Sequence, residues 1–519
     1  MTAVRPDTSD ALPSVVADAS GPVTVARVAQ ADLEAVTAEL ADFPGARLAD
    51  LFAAGDNPVT LRAVWALDHD RRYLITETPV FGPRYPALSD IAPAAFAEEC
   101  EIYEQFGIRP SGGKPLNRIA TPPPQAEVDL PRLGRAPDEP PADVHAAHVV
   151  GGHAFEFPFG PVRQVGVESL YYGLVTSGEE VVDLYLFTWH KHRGVEWRTQ
   201  GQTPQQALFG VERAEGLGAI GNGWAFAAAA EAALSIEPGP AAMASRGIAL
   251  ELERLYNHAA AVAALCQACG LAVGRAAAEI ALERLLRLNA AVFGHRYLFN
   301  VLAIGGVRVA PDAAEMQAQL PGAYGELRRA ADALLETNSF LDRLEATGIV
   351  TTPEAGRLGL VGPVARASGV AVDARADHPY GPAALGAGST GAALPVPVVA
   401  TEPAGDALAR LRVLLAEAAE SVRLVSDLAG AAGPGVSDAG QREPAGESRS
   451  GLGWAESSRG ESLAWVELDA SGRVRRARLR PAAVRNWRGF DDACRSQNVF
   501  TDVPIIEASF WLTVAGTAR

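Results

Sequence analysis

Cys266 and Cys269 form a CxxC pair. On a helix their thiols fall one turn apart on the same face, with His258 two turns earlier. A structural metal normally needs four ligands, and Cys100 and Cys494 stand alone in distant segments. Two small cysteines within an Ala-rich core helix are therefore the favoured reading. His190 and His192 share one side of an extended chain and could pair on a ligand. With Lys191 and Arg193 beside them, they read instead as a polar turn facing a partner. Asp90, Glu98, Glu99, Glu101 and Glu104 form an acidic cluster, expected to be a solvated helix face. Arg473, Arg475, Arg476, Arg478 and Arg480 are spaced over both faces of a strand, so at least one face meets solvent or an acidic partner. No aromatic residues interleave with them, which makes a nucleic-acid role weak. The sequence has no phosphate-cradling P-loop, no dinucleotide fingerprint in strand-turn-helix context and no GxSxG elbow.

The elements that must hold these groups follow from length and pattern. The chain has 519 residues, 48% of them apolar, enough for about three domains and at least one sizeable core. Its formal charge is −17, which argues against nucleic acid as the main partner. Four cysteines make no disulfide framework. The first 20 residues lack the pattern of a signal peptide, and residues 1–22 are expected to be a flexible tail. The most apolar stretch, 248–273, is crossed by Glu251, Glu253, Arg254, Asn257 and His258, so it reads as a buried helix and not a membrane span. A cytoplasmic protein is expected.

A helix at 31–40, strands at 61–67 and 73–76, and a helix at 92–106 that ends at Gly107 predict a small N-terminal α+β domain over 23–120. Residues 121–144 form a Pro-rich linker, with seven prolines between 121 and 141. From 145 to 519 the pattern predicts a strand pair at 165–174 and 180–187, then helices at 225–234, 243–271, 276–293, 313–346 and 406–428. Strand patterning returns at 466–479 around Ser471-Gly472. Residues 430–453 have the composition of a flexible surface insertion. The fold class is α+β: the small N-terminal domain followed by a mainly helical domain with a peripheral β-sheet.

Several segments, taken in order, resemble one family. AFAEECEIYEQFGI and the loop to Arg118 resemble the signature helix and loop of the complex I C subunit, through Glu98, Glu101, Tyr103, Phe106, Gly107, Pro115 and Arg118. Gly160-Pro161-Val162-Arg163, Gly178-Glu179, His192-Arg193-Gly194-Val195-Glu196, ELERLYNH at 251–258 and Gly305-Gly306-Val307 resemble the complex I D subunit. They equally resemble its relative, the large subunit of energy-converting nickel–iron hydrogenases. The same holds for Gly362-Pro363-Val364-Ala365-Arg366-Ala367-Ser368-Gly369 with Asp373, Arg375 and Pro379-Tyr380, and for Glu456 with Arg459-Gly460-Glu461. A fused C–D arrangement is similar to the formate hydrogenlyase type of large subunit.

The departures bear on chemistry. In hydrogenases of this family a CxxC after the Glu-Arg pair holds half of the nickel–iron centre. Aligned on Glu212-Arg213, those positions are Glu215 and Gly218, and the second CxxC is missing from the stretch before 519. Carboxylate plus glycine cannot replace soft thiolates. The quinone-reducing branch carries a tyrosine that aligns with Gly216 and loop histidines that align around 163–166, where none occurs.

The resemblance thus implies a subunit of a membrane-associated complex I-like or energy-converting hydrogenase-like oxidoreductase, not catalytic alone. It would transfer electrons beside a small iron–sulfur subunit and contribute to reduction of quinone or a related acceptor. The 4Fe-4S cluster is expected in the partner, with no cofactor, metal or identified catalytic residue in this chain. His192, Arg193, Gly194 and Glu196 would face that cluster, and antiporter-like membrane-arm subunits would be further partners. The location implied is the inner face of the cell membrane, peripheral and without spanning it. Two alternatives stay open: a structural scaffold without redox chemistry, and a genuine nickel–iron hydrogenase.

Overall fold

The structure, a computed structural model, describes residues 21–55, 58–116, 119, 154–163, 168–379, 394–433, 435–436, 448–495 and 497–519. The 121–144 linker, most of the 1–22 tail, Arg118 and Tyr380 lie outside the described residues.

The N-terminal unit runs β1 (Val23–Arg27), α1 (Leu33–Asp42), β2 (Ala46–Ala54), β3 (Val59–Leu67), β4 (Arg72–Val80), β5 (Arg84–Pro86), α2 (Phe96–Phe106) and β6 (Arg109–Ser111). β1 to β4 form one sheet in the order β1-β4-β3-β2, with β1 parallel to β4. One sheet face packs on α1 and α2 through Leu51, Leu61, Trp65 and Ile102. The other face, through Phe52, Val64 and Ile75, packs on Leu452, Leu463 and Trp465 of the second unit. Both faces are buried, so these strands read as apolar runs and not as an alternation.

The second unit opens with an antiparallel sheet of β7 (Ala154–Phe159), β8 (Tyr171–Ser177) and β9 (Glu180–Phe187). Helices follow: α3 (Val195–Arg198), α4 (Pro204–Val211), α5 (Ala219–Leu234), α6 (Pro240–Ala268) and α7 (Ala272–Phe293). After a short pair, β10 (Leu302–Ala303) and β11 (Gly306–Val307), come α8 (Ala313–Leu335), α9 (Asn338–Leu344), α10 (Thr352–Arg357), α11 (Gly362–Ala367), α12 (Ala374–Asp377) and α13 (Ala407–Leu428). β12 (Gly435–Val436) pairs with β11. The chain closes with the meander β13 (Arg449–Ser457), β14 (Gly460–Leu468) and β15 (Val474–Arg480), then α14 (Ala482–Arg495) and α15 (Val503–Phe510). The α+β class with a helical second unit and a peripheral sheet is what the pattern implied.

α6 is the axis of this unit. It is buried along nearly its whole length, polar residues included, and packs against α5, α7, α13 and α15. No helix among the described residues is long and apolar enough to cross a membrane.

Three expectations need correction. The stretch 313–346 is two helices, broken at Thr337, whose backbone is extended. Residues 449–453 belong to β13 and not to a flexible insertion; the preceding 437–447 lie outside the described residues. Their glycines serve close packing, because a Cβ at Gly451 or Gly453 would run into the backbone carbonyl of Ala229 or Ala225 on α5. The acidic cluster on α2 is not solvated: Glu98, Glu99 and Glu104 are buried. Glu99 accepts from the Leu88 amide at 2.7 Å, and Glu104 from the Ile119 amide. The partners of this face include the basic strip itself. Arg478 bonds Asp50 and Glu101, Arg519 bonds Glu101 at 2.9 Å, and Arg485 meets Glu98 at 3.1 Å. Only Arg473 and Arg475 of the strip face solvent.

Candidate functional site

The His192–Glu196 turn follows β9 and opens the short helix α3. Gly194 starts that helix with φ 61°, a left-handed conformation that suits glycine. Glu196 points inward, where it accepts from the Leu479 amide at 2.8 Å and from Arg519 Nε at 2.9 Å. It is a structural anchor between β15 and the segment around 519. His192 is half-buried and His190 exposed, with the His190 ring edge-on to Phe187 at 4.6 Å.

Arg193 is exposed and donates only to carbonyl oxygens: Ala214 at 2.5 Å, Ala515 at 2.6 Å and Ala518 at 3.3 Å among them. Its own amide also bonds Ala518 O, at 3.0 Å. Among the described residues no carboxylate forms an ion pair with it. Partial burial pulls its pKa below the ordinary guanidinium value, opposed by Glu215 and Glu168. The guanidinium is thus a positive charge pinned by neutral groups, and it ties the 213–216 turn to the 513–518 segment.

Those two segments carry the positions the resemblance aligns with metal ligands. Glu215 is buried; its Oε2 accepts from Asn222 Nδ2 at 3.0 Å, and its Oε1 has no hydrogen-bond partner among the described residues. Burial pushes its carboxyl up, against the pull of Arg459. A Cβ at Gly218 would stand 2.7 Å from Glu215 Oε2, and one at Gly516 would overlap Oε1. The Glu215 carboxylate therefore fills the space between the two segments.

Behind it, α6 presents Glu253, which accepts from the Ile220 and Gly221 amides at the start of α5, at 2.7 and 2.9 Å. A helix N-terminus favours the anion, yet complete burial wins and lifts Glu253 to about 7. Arg459, from the β13–β14 turn, lies over the Trp511 ring and donates to Trp511 O at 2.6 Å. Trp511 Nε1 in turn donates to Asn257 Oδ1 at 3.1 Å. Glu168 closes the wall by accepting from Thr513 Oγ1 and the amides of Val514 and Ala515 at 2.6–3.0 Å.

The arrangement suits proton handling beside a fixed surface cation. It does not suit a thiolate-held metal, because the aligned positions hold one carboxylate, Glu215, and one glycine, Gly218, and Gly516 packs against the same carboxylate. Among the described residues no three His, Cys, Asp or Glu side chains converge as a metal would need. Cys266 is buried and Cys269 half-buried, and burial lifts their thiols to about 12 and about 11, so neither is a thiolate at neutral pH. His258 turns away from them to Glu417, at 3.0 Å.

Glu253, Asn257 and Arg459 lie within the family-like motifs, but the motifs imply no role for them. Glu168 and Asn222 carry no local signal in the sequence. Of the stretch 163–166, where family histidines align, residues 164–166 lie outside the described residues.

Residues 26–130 match the family described as the 30 Kd subunit of respiratory-chain NADH dehydrogenase, and residues 279–439 match its 49 Kd subunit. The chain belongs to this complex I family. Within it, the protein is the fused type, with the C-type and D-type domains in one polypeptide. It is 26% identical over 447 residues to formate hydrogenlyase subunit 5 of Escherichia coli (strain K12), covering 82% of this chain and 75% of that one. It is 28% identical over 371 residues to the carbon monoxide-induced hydrogenase of Rhodospirillum rubrum, covering 70% and 99%. It is 27% identical over 371 residues to the C/D subunit of the NADH-quinone oxidoreductase of Phocaeicola vulgatus, covering 67% and 70%. Among solved structures, a chain of the membrane-bound sulfane sulfur reductase, an archaeal respiratory membrane complex, shares the fold with TM-score 0.63 at 21% identity, covering 71% of this chain and all of that one.

Proposed function

We propose that this protein is the fused C/D-type subunit of a membrane-bound, complex I-like or hydrogenase-like oxidoreductase, seated on the inner face of the cell membrane. In that role it docks a small iron–sulfur subunit and antiporter-like membrane subunits, and passes electrons to a quinone or related acceptor. The 4Fe-4S cluster belongs to the partner, and this chain holds no nickel–iron centre. The observation that carries the reading is Arg193: an exposed guanidinium held in place by carbonyls of both converging segments, with its charge left for a neighbour. A fixed cation beside an iron–sulfur cluster raises its potential by favouring the reduced, more negative state.

The test is a redox titration of the partner's cluster by electron paramagnetic resonance in the purified complex. Arg193→Gln is expected to lower the midpoint and slow quinone reduction, while Arg193→Lys keeps most of the potential. An unmoved midpoint in both variants, with assembly intact, rejects the role given to Arg193.

A second reading, a scaffold without redox chemistry, draws on the filled space around Glu215. An assembled complex with neither quinone reduction nor hydrogen uptake would favour it. Nickel found by elemental analysis would overturn both and restore a genuine hydrogenase.

A further inference from the structure

The motif residues of the second unit that do not reach Arg193 or Glu215 converge elsewhere, in one buried network. Arg254 of α6, Arg366 of α11 and Arg375 of α12 meet Glu251 of α6, Asp373 before α12, Glu417 of α13 and Glu456 of β13. All seven are at most 9% exposed. Arg375 forks onto Asp373 at 2.6 and 3.0 Å and reaches Glu251 at 2.9 Å. Arg366 contacts Glu417 at 2.8 Å, Glu456 at 2.9 Å and Asp373 at 3.3 Å. Ser421 donates to Glu251 at 2.7 Å.

Among the described residues, three guanidinium groups thus face four carboxylates, and a further one, Asp377, accepts the Asp373 amide at 2.9 Å. His258 does not balance the sum. Its Nε2 is bonded to Glu417, its Nδ1 is buried with no partner among the described residues, and burial pulls its pKa down and so favours the neutral ring. From β14, Glu461 lies across the ladder from Glu456 but is neutralised by Arg47 and Arg480. An unbalanced charge in a dry interior is costly enough that the group takes up a proton instead.

We propose that this network is an internal proton-binding site and that Glu456 is the group that holds the proton. Asp373 and Glu456 share the same Nη1 of Arg366, which is the arrangement in which two carboxylates cannot both ionise cheaply. Asp373 has the fork of Arg375 to itself, so it stays charged. Glu456 meets the shared Arg366 nitrogen and the Ala374 amide, the latter at 3.1 Å. Burial and Asp373 together raise it to about 7, despite the three arginines. The step is a simple ionisation: the Glu456 carboxylate takes H+ from water and returns it as the pH rises. The store adjoins the outer site, since Arg254 donates to the carbonyls of Glu456 and Ser457, at the foot of the turn that carries Arg459. The proposal stands independently of the electron-transfer reading.

Infrared difference spectra of the full chain, titrated from acid to alkaline pH, test it. The carbonyl band of protonated carboxylic acids is expected to lose intensity around pH 7 as the raised carboxyls ionise, and the loss in Glu456→Gln, which keeps an acceptor for Arg366, is expected to be smaller by one carboxyl's worth. Asp373→Asn, which removes the competing carboxylate, is expected to move the midpoint down by at least tenfold in proton affinity. Identical spectra for wild type and Glu456→Gln would overturn the assignment. If Glu456→Gln does not fold, an unmoved midpoint in Asp373→Asn overturns it.

Discussion

Arg478 holds Asp50 in a two-pronged grip, Nε to Oδ2 at 3.0 Å and Nη2 to Oδ1 at 2.9 Å, across the junction of the two units. Its third nitrogen takes Glu101 at 2.8 Å. The side chains of Arg478 and Asp50 are both almost wholly buried.

Removing one partner of a buried pair strands the other charge. Arg478→Ala is expected to destabilise the protein by about 3–5 kcal/mol in urea unfolding. Arg478→Met combined with Asp50→Asn should lose clearly less than Arg478→Ala, because neither charge is then left alone. Additive losses would show that the pair itself is not what the interface depends on.

Gly516 and Glu215 compete for one volume. Gly516→Ala should displace the Glu215 carboxylate and lower stability, and Glu215→Ala in the same chain should restore much of it. Contacting residues couple by about 0.5–3 kcal/mol in such cycles. A double-mutant cycle that closes at zero would place Glu215 elsewhere.

Gly453 and Gly430 separate packing glycines from surface ones. Gly453→Ala forces β13 off α5 and is expected to cost about 1–3 kcal/mol. Gly430, with nothing near its would-be Cβ, should tolerate Ala with little change in melting temperature.

Stability should peak on the acid side of neutral. Glu99, Glu212, Glu253 and Glu456 are raised from 4.5 to about 7, and Asp491 from 3.8 to about 7, chiefly by burial. Between the ordinary and raised values the folded chain binds protons that the unfolded chain has released. Stability therefore falls as pH rises from about 4.5 to 7, by up to about 1.4 kcal/mol per pH unit per group. Glu101, at about 2 because Arg478 and Arg519 offset its burial, acts in the opposite sense and loses its contribution as pH falls below 4.5. Urea midpoints at pH 5 above those at pH 7.5 are the expected result, and a rise toward pH 7.5 would contradict it.

The helices were legible wherever apolar period and punctuation agreed, as in α6, α7 and α13, because burying one stripe is a local property of the sequence. β2 and β7 carry no pattern that picks them out, and the glycines at the start of β13 look like flexible linker until α5 is placed against them. Charge was the least legible quantity. Glu98 and Glu101 have the spacing of a solvated face, and nothing near them in sequence announces Arg478, Arg485 or Arg519. The motif His192 to Glu196 could be located, but its division of labour could not: Arg193 turned outward and Glu196 inward only once Leu479 and Arg519 were in place. Glu215 was legible as a substitution. That its carboxylate closes the gap it borders depends on Gly516, 301 residues further on.

The acidic face of α2 also sets an order of events in biosynthesis. Glu101 emerges from the ribosome 377 residues before Arg478 and 418 before Arg519. The N-terminal sheet and helix can assemble early, since domains commonly form as they are made. For the whole of that interval the Glu98 and Glu101 carboxylates lack the arginines that later pair with them and must remain hydrated, so the face they share is a charged one. The domain becomes an apolar-faced half of an interface only when the last arginines arrive to neutralise it.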